Sequence, residues 1–189
     1  MLTPVLLALA WLQNAPPAPL LTDPDAYAVY AAVIPKEWPV QAAHAQRLVI
    51  QETTTVSRNC LPTGEGLKAA PWKEVMDDFT RQNATARTLI SAFPIDRPYD
   101  LVRESDMMAP FKDRQSDGWK AFYDAHPDSG GYLMMSAVGF DAAKTRALVY
   151  LGHACGWLCG GGTFHFLEKE DGRWHEVAPT NITVCMWVS

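Results

Sequence analysis

The sequence predicts an α+β domain in which an antiparallel β-sheet, ending in a four-stranded meander, packs against about three helices. Three observations predict it. Residues 146–153 carry apolar side chains at both parities: Ala147, Val149 and Leu151 on one side, Leu148 and Tyr150 on the other. A strand apolar on both faces belongs in the middle of a covered sheet. Asp171-Gly172 separates the runs 163–169 and 173–177 and is the strongest hairpin dipeptide in the chain, because glycine takes positive φ without a Cβ clash. Aromatic stripes at helical spacing surround Tyr27, Trp72 and Trp119, as amphipathic helices require. With 189 residues, 48% of them hydrophobic and 20% charged, the chain suits one domain with its own core.

The elements follow in order. Residues 1–12 are apolar, too short to cross a bilayer as a helix, and are followed by the Pro-rich stretch 14–19. Residues 1–19 therefore read as a signal-peptide-like segment and linker, and residues 20–189 as the folded domain. The expectation is an exported, periplasmic or secreted protein whose mature form begins between Ala15 and Leu20. No cysteine occurs before Cys60, which favours a soluble product over a lipoprotein. Asp23 and Pro24 then make a helix start, with Tyr27, Tyr30, Ala31 and Ile34 at helical spacing and Pro35 as the expected stop. Residues 47–57 alternate and are rich in β-branched side chains, so they read as a strand.

Pro71 opens a second helix with Trp72, Val75, Met76 and Phe79 on one face and charged residues on the other. This stripe reads as core packing rather than a ligand box. Residues 89–93 form a short apolar run, and residues 98–104 read as a strand. The acidic residues between 96 and 117 lack the alternating oxygen ligands and central glycine of a calcium loop and are interleaved with Arg97, Arg103, Lys112 and Arg114; they read as a solvated mixed-charge surface. A third helix carries Trp119, Phe122, Tyr123 and His126 between Asp117 and Pro127. The meander then uses residues 132–140, 146–153, 163–169 and 173–177, with a last strand candidate at 183–188.

Between the two central strands lie Cys155, Cys159 and the glycines Gly156, Gly160, Gly161 and Gly162. In an oxidising compartment Cys155 and Cys159 would close a short local disulfide, and Cys60 can pair with Cys185. The alternative is a zinc site from His153, Cys155, Cys159 and His165, although H-x-C-x3-C-x5-H matches no common zinc module. Thiol redox chemistry fits less well, because the cysteines are followed by three glycines and a strand rather than by a helix N-terminus that would lower a thiol pKa. The same lack of a following helix argues against a phosphate cradle at residues 160–162. Ser129, Ser136 and the histidines at 44, 126, 153, 165 and 175 supply hydrolytic residue types, but no nucleophile elbow or H-E-x-x-H helix organises them.

One resemblance rests on these residues. Ser136-x-Val138-Gly139-Phe140, Ala147-Leu148-Val149-Tyr150, Cys155-Gly156-x-Leu158-Cys159-Gly160-x-Gly162 and Gly172-x-Trp174 resemble a family of uncharacterised bacterial proteins, many bearing export signals. The resemblance covers about the last third of the chain and implies an exported single domain. It brings no reaction, substrate or ligand.

The net charge of −5 with thinly spread Lys and Arg provides no concentrated positive field for nucleic acid and no polybasic patch for an anionic membrane. The functional expectation is an exported, non-catalytic binding or envelope-associated module without cofactor, recognising a protein or small-molecule ligand. The alternative is an envelope enzyme using a metal or thiol near Cys155 to His165.

Overall fold

The computed structural model describes residues 17–37, 45–55, 61–113 and 117–189. The leader-like segment through Pro16, His44 and Cys60 lie outside the described residues. Among the described residues the fold is α+β, with four helices and an eight-stranded sheet. The helices are α1 (Pro24–Glu37), α2 (Trp72–Gln82), α3 (Glu104–Met107) and α4 (Gly118–Ala125). The strands are β1 (Arg47–Gln51), β2 (Tyr99–Val102), β3 (Ser129–Met135), β4 (Gly139–Phe140), β5 (Arg146–Gly156), β6 (Cys159–Glu170), β7 (Arg173–Val177) and β8 (Met186–Val188).

The main sheet order is β2-β1-β3-β5-β6-β7, with β4 added on β5 and β8 on β6. The expected antiparallel meander is present in β3, β5, β6 and β7, but the sheet as a whole is mixed and six strands across, with β4 and β8 added beside that path. β1 runs parallel to both β2 and β3. The physical reason lies in the connections: long segments containing α2, and then α3 and α4, separate these strands, and only such crossovers permit parallel pairing.

Both faces of the sheet are covered. On one, Tyr27, Tyr30 and Val33 of α1 pack with Leu48, Ile50, Leu133, Val149, Leu151 and Leu167. On the other, Trp72, Val75 and Phe79 of α2 meet Leu148, Tyr150, Phe164 and Phe166, while Trp119 and Phe122 of α4 pack with Met107 and Val49. The alternation of β5 thus divides its side chains between the two cores as its sequence demands.

Local chemistry sets most boundaries. Asp117 caps α4 by accepting from the Trp119 and Lys120 amides at 3.1 and 3.2 Å, as expected at an N-cap. Asp171 and Gly172 both take positive φ, 48° and 76°, the geometry of a two-residue hairpin turn. Two expectations are corrected. Pro35 does not end α1, which continues to Glu37; in a last turn proline removes only the hydrogen bond to the carbonyl four residues back. The stretch expected as a strand through Glu104 stops at Val102, and α3 begins at Glu104.

The strand expected over 132–140 is two strands broken at Ser136. Ser136 is fully buried; its Oγ accepts from the Tyr150 amide at 2.8 Å, and its carbonyl accepts from the Tyr30 hydroxyl at 2.7 Å. It ties the break in the sheet to α1. The linker end is docked as well, since the Pro19 and Ala18 carbonyls accept from the Thr88 amide and hydroxyl. None of the helices among the described residues is long and apolar enough to cross a membrane.

Candidate functional site

The hairpin of β5 and β6 is the longest in the sheet, paired from Arg146↔Glu168 out to Gly156↔Cys159. A register shift between Ala154 and Gly156 makes Cys155 the extra residue of a bulge, which turns its side chain across the hairpin. Cys155 and Cys159 form a disulfide with Cα atoms 5.0 Å apart. The loop left between them is Trp157 and Leu158, flanked by Gly156.

Two contacts hold this tip against the body. The Tyr123 hydroxyl of α4 donates to the Cys155 carbonyl at 2.8 Å. The Trp157 ring meets Phe111 edge-on at 6.1 Å, and Phe111 in turn meets Trp119 at 5.1 Å. Gly131, at φ 99°, lies where a Cβ would strike the Ala154 carbonyl and the Cys155 Cα, so only glycine lets β3 run this close to the bulge. Despite this support the tip is open to solvent: Trp157 is 69% exposed and Leu158 90%. Met186 and Val188 of β8, on the neighbouring strand edge, are exposed as well.

The glycines of the loop divide by role. Gly152 and Gly162 are paired across the hairpin, and a Cβ on Gly162 would strike the Tyr150 hydroxyl and the Trp187 indole nitrogen. They form a trough for these two rings, whose polar ends meet where Trp187 Nε1 donates to the Tyr150 oxygen at 2.6 Å. Gly161 lies against the Trp187 carbonyl and the His153 ring. Gly160 lies against Ser189 and the His153 carbonyl, and its own carbonyl accepts from the Ser189 amide at 3.0 Å. These glycines let β8 seat on β6.

The alternative metal set is not brought to one point. Both Cys155 and Cys159 sulfurs are used in the disulfide. His153 pairs opposite Gly161, whereas His165 pairs opposite Val149 four residues further along β5, about 13 Å away at strand rise. His165 is buried, with Nδ1 2.7 Å from the Glu176 carboxylate. Among the described residues no group of three or more His, Cys, Asp or Glu side chains could hold a metal ion. Cys185 is disulfide-bonded; Cys60, its expected partner, is not among the described residues.

A cleft of about 460 Å³ between α2 and the β4 turn is lined by Asp23, Glu74, Asp77, Asp78, Asp141 and Lys144, but three of its carboxylates serve the fold. Asp78 accepts from the Phe140 amide and Arg81, Asp23 from Lys144, and Asp141 from the Thr145 and Arg146 amides. Burial alone would raise the Asp141 pKa, yet the Thr145 hydroxyl together with the two amides holds it below the usual carboxylate value.

The residues that sequence reasoning passed over are Trp157 and Leu158. Their signal was present: hairpin loops are ordinarily built from polar and turn-forming residues, and here the centre of a C-x3-C loop is a Trp-Leu pair. Removing the clamp with Cys155→Ser and Cys159→Ser should cost about 2 kcal/mol by loop-closure entropy without unfolding the domain, because apolar burial on two faces holds the sheet. Urea denaturation of the double variant checks this; a variant that is unfolded in buffer would contradict it. Comparisons with protein-family models, with curated proteins and with solved structures find no match.

Proposed function

We infer that this protein is an exported, non-catalytic binding or envelope-associated module that engages its partner through the hairpin tip at Trp157 and Leu158. The observation that carries the reading is the exposure of a Trp-Leu pair at the end of a disulfide-clamped strand pair. An isolated exposed apolar residue needs no explanation, whereas a projecting pair of large ones is a binding feature. Tryptophan is the side chain most enriched where interfaces concentrate their energy, and a clamped loop loses little conformational entropy on docking.

Export is supported by the apolar leader-like run and by the disulfide, a bond that persists in oxidising compartments. The resemblance of the motif to uncharacterised exported bacterial proteins agrees with it. Several motif residues have structural roles, with Ser136 bridging a strand break and Gly162 seating two rings, so the motif specifies the platform for the tip. No observation favours the enzyme alternative.

The test uses a photo-crosslinking side chain at position 158 of the full chain in its native cell, with the same probe at Asp171, in the β6–β7 turn, as control. A discrete adduct in the extracytoplasmic fraction from position 158, absent at 171 and abolished by Trp157→Ser, is the expected result. Equal labelling from both positions, or a cytoplasmic protein, would overturn the reading. Trp157→Ser should cost no more than about 1.5 kcal/mol, the worth of its edge contact with Phe111, and leave the domain folded.

A further inference from the structure

The geometry points to a second, independent site: a cleft at the carboxyl end of β1 that binds a small primary amine as its ammonium ion. In open sheets with parallel strands, ligands sit outside the carboxyl ends where the strand order reverses, and here the chain leaves β1 toward β2 on one side and β3 toward β5 on the other. β1 is the only strand here with a parallel neighbour on each side among the described residues. At its carboxyl end lies a cleft of about 240 Å³ that includes Gln51, Thr53, Thr54, Thr55, Asn83 and Glu104 in its lining. It has room for about eight waters at about 30 Å³ each, or one small organic molecule.

The hydrogen-bond inventory selects the ligand. Gln51 and Thr54 are each only 5% exposed, so their polar groups lie at the cleft floor at a desolvation cost. The Gln51 carboxamide nitrogen donates to the Thr53 carbonyl and hydroxyl at 3.1 and 3.3 Å, which orients its carbonyl oxygen as the remaining group. Asn83 spends its nitrogen on the Phe79 and Ala137 carbonyls at 2.8 and 3.0 Å, and its oxygen accepts from the Ala137 amide at 2.9 Å. The Thr54 hydroxyl oxygen accepts from the Arg87 amide at 2.9 Å. Both carboxamide nitrogens are therefore consumed within the protein.

What remains is the Gln51 oxygen, threonine hydroxyls and the Glu104 carboxylate, and no Lys or Arg lines the cleft. A wall rich in acceptors with one negative charge suits a compact group that only donates. An alkylammonium, with three N–H donors and a positive charge, is that group; the threonine hydroxyls can donate to an anion as well, but an anion would face the Glu104 carboxylate with no Lys or Arg in the lining to hold it.

Isothermal titration of the full, disulfide-bonded chain with putrescine and with 1,4-butanediol, which has the same carbon spacing but neutral ends, tests the assignment. Putrescine should bind at least about tenfold more tightly than the diol, and Glu104→Gln should weaken it about two- to fivefold, the worth of a solvent-exposed charge partner. Glu74→Gln, in the acidic cleft beside α2, should leave binding unchanged. Amide spectra should show the Gln51 side-chain NH2 shifting on addition of putrescine. Equal binding of diol and diamine, no heat with putrescine up to about 10 mM, or sensitivity to Glu74→Gln instead of Glu104→Gln would each overturn it.

Discussion

Gly139→Ala should destabilise the domain by about 3 kcal/mol, the upper end of the range for an overpacked core position. A Cβ on Gly139 would lie 2.5 Å from both the Cα and the Cβ of Phe79, so the obstacle is the α2 backbone and not the end of a flexible side chain. α2 cannot simply step aside. Asp78 accepts from the Phe140 amide at 2.8 Å, and Asn83 exchanges two hydrogen bonds with the Ala137 backbone at 3.0 and 2.9 Å. Lifting the helix would break these bonds and withdraw Phe79 from Phe164, its edge-on partner at 5.7 Å. Gly172→Ala is the contrasting control, with positive φ and nothing within 4 Å of the added carbon, so it should cost only about 1 kcal/mol of backbone strain. Urea midpoints of the two variants separate the effects; equal midpoints would mean that α2 does not rest on β4.

This glycine also shows where the sequence is legible and where it is not. The hairpin from β6 to β7 could be read directly, because Asp171-Gly172 acts through local backbone sterics and the flanking strands alternate. α2 could be read for a similar reason, since its burial pattern at Trp72, Val75 and Phe79 is a period within one element. The parallel pairing of β1 could not, because strand direction depends on how distant segments pass over the sheet and leaves no period. α3, only four residues long, is shorter than two helical turns and carries no repeat. The glycines of the cysteine loop were legible as sites of close approach, but their neighbours, Tyr150 and Trp187, were not.

The candidate tip follows the same division. The bond between Cys155 and Cys159 is local and could be expected from four-residue spacing. The exposure of Trp157 and Leu158 depends on which parts of the fold fail to cover them. The amine cleft was still less legible, since Gln51, Asn83 and Glu104 come from three separate elements joined only by the crossover topology.

The second large effect is alkaline unfolding. Tyr30 is fully buried and donates to the Ser136 carbonyl; burial pushes its pKa well above 10. Burial raises Tyr27 as well, against an opposing hydrogen bond from the Ile90 amide, and Tyr150, against the Trp187 indole N–H. In each case the folded state holds a proton that the unfolded chain releases near pH 10. Below that pH the two states bind equal numbers of protons at these groups and their contribution is fully present. As pH rises from about 10 through the raised folded values, the unfolded state binds fewer protons and stability falls. Each such tyrosine contributes a slope of at most about 1.4 kcal/mol per pH unit, and only between its unfolded and its folded pKa, so Tyr30, whose pKa burial raises furthest, dominates the loss. Phenolate absorbance and far-UV circular dichroism followed together between pH 9 and about 12 should show these groups ionising in one cooperative step with loss of structure. Tyr30→Phe should shift that step to higher pH once its lower starting stability, from the lost hydrogen bond to Ser136, is subtracted. Gradual ionisation of all the tyrosines near pH 10 with the fold intact would mean that these phenols are not enclosed between α1, the sheet and β8.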